Sequence, residues 1–344
     1  MRPTNAIVNH EAIRNNLEVA RLLSPTARNL AVIKAKAYGH GAVAVAQALE
    51  PAADALAVAF MEEAAELREA GIARPILVLE GPDRGDDIIE ASRLDLWLML
   101  HREGQSRYLQ EARLDRPVGA WVKFDTGMHR LGFEEKDIDE LIARIRTNKQ
   151  IFVQSIFTHL AASDQKNHDD FTRRQIDKFD RMSEKLRSSI DHSVILHVLN
   201  SAGIIRFPEA QYDMVRLGIS LYGVAHSNKV QSHLEPVSTL KYIISQIKKI
   251  PANETIGYNR RGKAKNDMKM AVVPVGYADG LRRLLGNGKG HVWINGKLAP
   301  IIGDVCMDMV MVDITNIKAE EGDEVIIFGK QRPLKELALE METI

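Results

Sequence analysis

Through its first two thirds the chain alternates short apolar, β-branched runs with longer amphipathic stretches, and few folds tolerate that rhythm. Extended runs are expected at Ala6–Val8, Leu30–Ile33, Ala55–Ala59, Pro75–Leu79, Leu94–Leu98, Ala120–Phe124, Ile151–Phe157 and Val194–Val198. Helical patterns fill the gaps: Ile13, Leu17 and Ala20 recur at helical spacing, and Asp170–Leu186 is charged and free of Gly and Pro. Strand–helix alternation implies a parallel sheet, because parallel neighbours need a crossover. About eight repeats precede Leu221, close to the ~250 residues typical of a closed (β/α)8 barrel, with an open doubly wound sheet as the alternative. After Gly223 the texture changes to short runs separated by Gly, Asn and Asp turns: Tyr242–Ile247, Met270–Val275, His291–Ile294, Met309–Ile314 and Glu324–Phe328. Asn295–Gly296 is a hairpin signal. The expected organisation is a TIM-type barrel over residues 1–225, holding a cofactor, and a mainly β domain over 226–344.

Charge and cysteine narrow the class. Lys plus Arg and Asp plus Glu both total 46, so the chain lacks the basic excess of a nucleic-acid or membrane-surface binder. The single cysteine, Cys306, cannot form an internal disulfide. No apolar run suits a signal peptide or a membrane span, so the expectation is a cytoplasmic protein with neither nucleic acid nor membrane as partner.

In a (β/α)8 barrel the reactive groups sit at the carboxyl ends of the strands. Those ends carry Lys34, then Lys123 and Asp125, His159, Asn200 and Ser201, and finally Arg216. Any one lysine after a strand is ordinarily a solvated loop residue, but the recurrence describes a cationic mouth suited to an anion. Tyr38 and the segments Ser201–Gly203 and Gly218–Ile219 can offer a hydroxyl and backbone N–H groups to a phosphate. A strand-end lysine beside a phosphate cradle suggests Schiff-base chemistry, in either a pyridoxal 5′-phosphate enzyme or an aldolase. An arginine facing a pyridine nitrogen keeps that nitrogen unprotonated, because a guanidinium only donates. No cluster points to a metal.

The run Ala31–Gly41 (AVIKAKAYGHG) resembles the cofactor-lysine signature of alanine racemases. Six further blocks match in order: Lys123–Gly132, Thr158–Ala161, Asn200–Ala202, Val215–Ile219, Val275–Gly280 and Val305–Met309. The resemblance spans nearly the whole chain. It implies that Lys34 carries pyridoxal 5′-phosphate as an internal aldimine and that Lys34 and Tyr277 are the two catalytic acid/base groups. Tyr277 would reach the site from the neighbouring subunit of a head-to-tail homodimer. By the same resemblance Tyr38, Ser201, Gly218 and Ile219 hold the phosphate, His159 packs near the ring, and Arg216 faces its nitrogen. Arg130 and Met307 bind the substrate carboxylate, and Lys123 matches a lysine often carbamylated. The implied reaction is racemisation of L-alanine to D-alanine for cell-wall peptide. The rival readings are a fold-related pyridoxal-phosphate amino-acid decarboxylase, a non-enzymatic cofactor-binding protein and an inactive relative.

Three departures from the pattern carry expectations. Lys36 puts a second amine on the face of Lys34 if the strand continues. Leu217 replaces a common proline. The chain stops at Glu342–Thr343–Ile344, where relatives run on to a tyrosine near the phosphate, so weaker cofactor binding is expected. His40 and His129 are read as local hydrogen-bonding residues, Asp279 as a turn residue, and Glu62, Glu63 and Glu66 as a solvated helix face.

Overall fold

In a computed structural model the described residues are 5–114, 116–148 and 150–343, and they form two units. One runs from His10 to Glu235; the other joins residues 5–9 to 236–343. Residues 1–4 and 344, at the outer ends of the two expected domain ranges, lie outside the described residues.

The strand β1 (Asn5–Val8) belongs to the second unit, where it pairs antiparallel with Ser238–Ile243. The first unit is built on β2 (Arg28–Val32), β3 (Ala55–Val58), β4 (Ile76–Val78), β5 (Leu96–Leu100), β6 (Val118–Lys123), β7 (Ile151–Phe157), β8 (Ile195–His197) and β9 (Met214–Leu217). They form one parallel sheet in the order β8-β7-β6-β5-β4-β3-β2-β9. Asp213 N donates to Leu196 O and Arg216 N to Leu199 O, both at 3.0 Å, and so bring the two edges together. The result is the TIM-like barrel. Helices alternate with the strands, which therefore face apolar surroundings on both sides: every residue of β3 and β4 is buried. The barrel interior is filled by Leu30, Ala57, Leu77, Met99, Trp121, Phe157 and Met214. The helix His10–Leu23 buries Ile13, Leu17 and Ala20, one face at the expected spacing.

The second unit is an antiparallel eight-stranded sheet, β1-β10-β18-β15-β16-β17-β14-β11, with a separate ribbon β12–β13. Its strands are β10 (Ser238–Ile243), β11 (Gln246–Ile250), β12 (Thr255–Ile256), β13 (Gly262–Lys263), β14 (Met268–Val273), β15 (His291–Ile294), β16 (Lys297–Ile302), β17 (Val310–Asp313) and β18 (Glu324–Phe328). Asn295 and Gly296, at φ 42° and 88°, make the tight turn between β15 and β16. The core of this unit includes Ala271, Val273, Val292, Ile294, Ile301, Val312 and Val325.

Two sequence expectations shift. Ala6–Val8 is not a barrel strand, and the barrel is instead completed by Met214–Leu217, a run interrupted by Arg216. The Tyr242–Ile247 run divides at Ile244–Ser245, where each backbone N–H turns to a different strand neighbourhood: Ile244 N to Asp323 O and Ser245 N to Val272 O.

Gly81, just past β4, has φ +71°, and an added Cβ would lie 2.1 Å from Met99 O. Gly85, four residues on, has open space around it. Gly81→Ala is therefore expected to cost about 3 kcal/mol, from backbone strain plus overpacking. Gly85→Ala should be close to neutral, and urea unfolding of the two variants checks the contrast.

Candidate active site

The carboxyl ends of the barrel strands surround a cavity of about 440 Å³. Its lining includes Lys34, Tyr38, Lys123, Arg130, His159, Ser201, Arg216, Gly218 and Ile219. Glu80, Met99, Asp164 and His226 also line it.

Arg216 is the buried centre. Its guanidinium donates to Thr158 O (2.7 Å), Val198 O (2.9 Å) and His197 Nδ1 (2.5 Å). Burial pulls it down to about 9, which leaves it charged at neutral pH. His197, in β8, is fully buried, stacks on Phe157 at 4.8 Å and meets the edge of Trp121 at 5.0 Å. Burial, then the charge of Arg216, holds this imidazole well below its ordinary pKa, so it is neutral and accepts at Nδ1. Among the described residues its Nε2 has no hydrogen-bond partner. His159 is pushed down to about 3 by burial and then by Arg216, Lys123, Arg130 and Lys34. Lys123, at the end of β6, is lowered to about 8, first by burial and then by Arg130 and Arg216. The cations thus crowd a site where water cannot fully screen them.

A second group forms a cradle. Ser201 Oγ accepts from Gly218 N (2.9 Å) and Ser220 N (3.4 Å), leaving its own O–H free to donate outward. Asn200 caps the short helix Ser201–Arg206 by accepting from Gly203 N (2.9 Å), and it also accepts from Ser163 Oγ (2.8 Å). A Cβ on Gly218 would stand 3.1 Å from the Tyr38 hydroxyl, so only glycine leaves this corner open. Tyr38 leans on Tyr222, which in turn stacks on His40. Together the cationic wall and this cradle fit a phosphorylated pyridine aldehyde: an amine for the aldehyde, donors for the phosphate, and a guanidinium for a ring.

Lys34 reaches the cavity through an unusual backbone. The strand stops at Val32, and Ala35–Tyr38 follow in a left-handed turn with φ between 53° and 55°. Lys36 therefore does not share a strand face with Lys34; it is exposed and absent from the cavity lining. Nearby, Asp125 accepts from Gly127 N and His129 N, at 2.9 and 3.0 Å, and shapes its loop. His40 Nδ1 lies 2.9 Å from Ala37 O.

Tyr277 and Met307 lie in the second unit. The Tyr277 N–H donates to Cys306 O and the Ala278 N–H to Met307 O, both at 3.0 Å, so the two segments are locked together. A Cβ on Gly276 would collide with Met307 O at 2.2 Å, which explains the glycine. Both side chains are exposed, Tyr277 at 44% and Met307 at 54%. Asp279 accepts from Gly276 N and is a turn residue.

Three residues escaped the sequence reading. His197 was hidden inside the apolar run Val194–Val198, where a histidine is itself the signal of a buried polar role. Glu80 sits at the cavity as the residue after a β4 apolar run. Glu63 departs from the solvated-face reading: it is half-buried and accepts three backbone N–H groups, whereas Glu62 and Glu66 are exposed.

The chain thus joins a barrel with a cationic cavity at its strand ends to an antiparallel β unit. Comparison with known proteins narrows it. The pattern described as "Alanine racemase, N-terminal domain" matches residues 8–226, and "Alanine racemase, C-terminal domain" matches residues 237–344. The chain is 37% identical to the catabolic alanine racemase of Pseudomonas putida, over 100% of this chain and 95% of that protein. It is 40% identical to alanine racemase 2 of Caldanaerobacter subterraneus, over 96% of this chain and 87% of that protein. The solved structure of the biosynthetic alanine racemase from Pseudomonas aeruginosa superposes with a TM-score of 0.89 at 33% identity, covering 100% of this chain and 95% of that one. The chain belongs to the alanine racemase family and is an enzyme of the amino-acid racemase class.

His159 and His101 (lowered to about 4, chiefly by burial) sit below the ordinary 6.5. The unfolded chain therefore takes up more protons than the folded one between those values, and stability must fall as pH drops from 6.5 towards 4. Denaturation midpoints measured across that window should decline with pH; a flat profile would contradict the buried neutral imidazoles.

Proposed function

We propose that this enzyme interconverts L- and D-alanine with pyridoxal 5′-phosphate as cofactor. The observation that carries the reading is the convergence of Lys34, Lys123, Arg130, Arg216 and the Ser201–Gly218 cradle on one cavity. When bound, the cofactor supplies an aldehyde that condenses with amines and a conjugated ring that acidifies the substrate Cα–H. Lys34 would hold it through Nζ. Tyr38, Ser201, Gly218 and Ile219 would hold its phosphate, with His159 packed near the ring. Arg216, a donor that keeps its own proton, favours an unprotonated ring nitrogen and so a weaker electron sink than a carboxylate partner would give. That restraint suits simple proton exchange at Cα.

Racemisation needs a proton removed from one face of Cα and returned to the other. Lys34 Nζ serves one face and the Tyr277 hydroxyl the other. Arg130 binds the substrate carboxylate, helped by the Met307 backbone N–H. The β-rich domain, residues 226–344, serves the barrel domain of a second copy, residues 1–225, so the working form is a homodimer with shared sites. The exposure of Tyr277 and Met307 within their unit supports this. Lys123, its amine pushed down to about 8, is set to take up carbon dioxide as a carbamate with loss of a proton. The resulting anion would orient Arg130 instead of repelling it. The reading extends to a cytoplasmic enzyme supplying D-alanine for cell-wall peptide; among the described residues no helix is long and apolar enough to cross a membrane.

Purified protein mixed with pyridoxal 5′-phosphate should develop a visible absorbance band, and borohydride followed by peptide mapping should find the label on Lys34. Alanine racemisation should accompany it, and Tyr277→Phe should slow the reaction by about 10²-fold or more, the range of a positioned acid/base group. A label confined to Lys36, or no racemisation by the labelled-competent protein, would overturn the reading.

A further inference from the structure

The turn that carries Lys34 needs support from outside itself. Ala35, Lys36, Ala37 and Tyr38 all have positive φ and none is glycine. A left-handed backbone is unfavourable for each such residue, because its Cβ crowds the following carbonyl oxygen. Among its internal hydrogen bonds are Ala37 N to Ile33 O (2.8 Å) and Gly39 N to Ala35 O (3.0 Å). The Ala35 amide, first of the left-handed series, goes elsewhere: it donates to Glu63 Oε1 at 2.6 Å. Glu63 Oε2 accepts from Ala59 N (2.7 Å) and Phe60 N (3.2 Å), at the entrance to the helix Met61–Glu69.

Half of this is ordinary capping, in which a glutamate in the first turn reaches back to the residue before the helix. The other half is not. Capping uses Oε2 alone, whereas Oε1 crosses 28 residues of sequence to the peptide that joins Lys34 to Ala35. We propose that Glu63 is a positioning residue for the reaction: its carboxylate clamps the Lys34–Ala35 peptide to the exit of β3 and so aims Lys34 and Tyr38 into one cavity. This rests on the reading of Lys34 as the cofactor lysine. An ionised carboxylate is suited to the task because it offers acceptor sites on both oxygens and makes charge-assisted bonds to all three amides. A glutamine at this position keeps one accepting oxygen and must give up either the turn or the helix entrance. Without the clamp, the strained turn relaxes, the Lys34 amine loses its aim, and the exposed Lys36 amine competes for the aldehyde.

The test compares wild type with Glu63→Gln and Glu63→Ala, using Glu62→Ala and Glu66→Ala on the exposed face as controls. Each protein is incubated with pyridoxal 5′-phosphate, sampled over time, reduced with borohydride and mapped, with kcat, KM and the thermal midpoint measured alongside. The proposal predicts that Glu63→Ala slows labelling of Lys34 and lowers kcat by about tenfold or more, the scale of a misplaced reacting group. It also predicts a rising share of label on Lys36 and a smaller change in KM. Glu63→Gln should fall between, and the two controls should match wild type. If Glu63→Ala does not fold, Glu63→Gln decides the question by the same ratio. A folded Glu63 variant that labels Lys34 at the wild-type rate, with no gain at Lys36, overturns the proposal even if its thermal midpoint is lower. A wild-type protein not labelled on Lys34 overturns the reading of the lysine itself, and the clamp with it.

Discussion

A guanidinium buried at the top of a parallel barrel is the constraint around which this enzyme is organised. Taking such a charge out of water costs several kcal/mol unless donors and acceptors are matched. Among the described residues Arg216 meets that cost without a carboxylate: the carbonyls of Thr158, His197 and Val198 and the neutral His197 imidazole accept its protons, and burial alone accounts for its lowered pKa. These acceptors come from the ends of β7 and β8, so the same bonds that satisfy the charge also draw the strand ends together. Because no acid among the described residues pairs with it, its positive charge acts on its neighbours in the cavity. His159 is neutral and the Lys123 amine is weakened for that reason as well as by burial. The cavity is therefore cationic, and the Lys123 amine within it is held below its ordinary pKa.

The second expensive feature is the left-handed turn after Lys34. It places an amine and a phenol, four residues apart, on one cavity. Its strain is offset locally by Gly39 at φ 86°, by the packing of Tyr38 on Tyr222 and by the Glu63 carboxylate. Tight glycine contacts recur for the same reason: Gly218 leaves room for the Tyr38 hydroxyl, and Gly276 lets the Tyr277 turn press against the Met307 backbone.

The barrel class and most of the site were legible because they depend on local pattern. Apolar runs bounded by turns mark strands such as Ala55–Val58, and polar residues at their ends mark the mouth. What was not legible depends on long-range partners. Ala6–Val8 has the composition of a barrel strand and pairs instead with residues more than two hundred positions away. Met214–Leu217 carries a charge in its middle, so its apolar run is broken by the residue that matters most. The turn Ala35–Tyr38 lacks the glycine that ordinarily announces a left-handed backbone. Glu63 looks like its exposed neighbours Glu62 and Glu66, and only the fold reveals that it faces Ala35.

The proposed role of Arg216 is that of a donor that leaves a facing ring nitrogen without a proton. The most direct measurement is the ¹⁵N chemical shift of ring-labelled pyridoxal 5′-phosphate bound to the protein at neutral pH. The account predicts the shift of an unprotonated, hydrogen-bond-accepting pyridine, unchanged as the pH is lowered towards 6. A protonated pyridinium shift would contradict it.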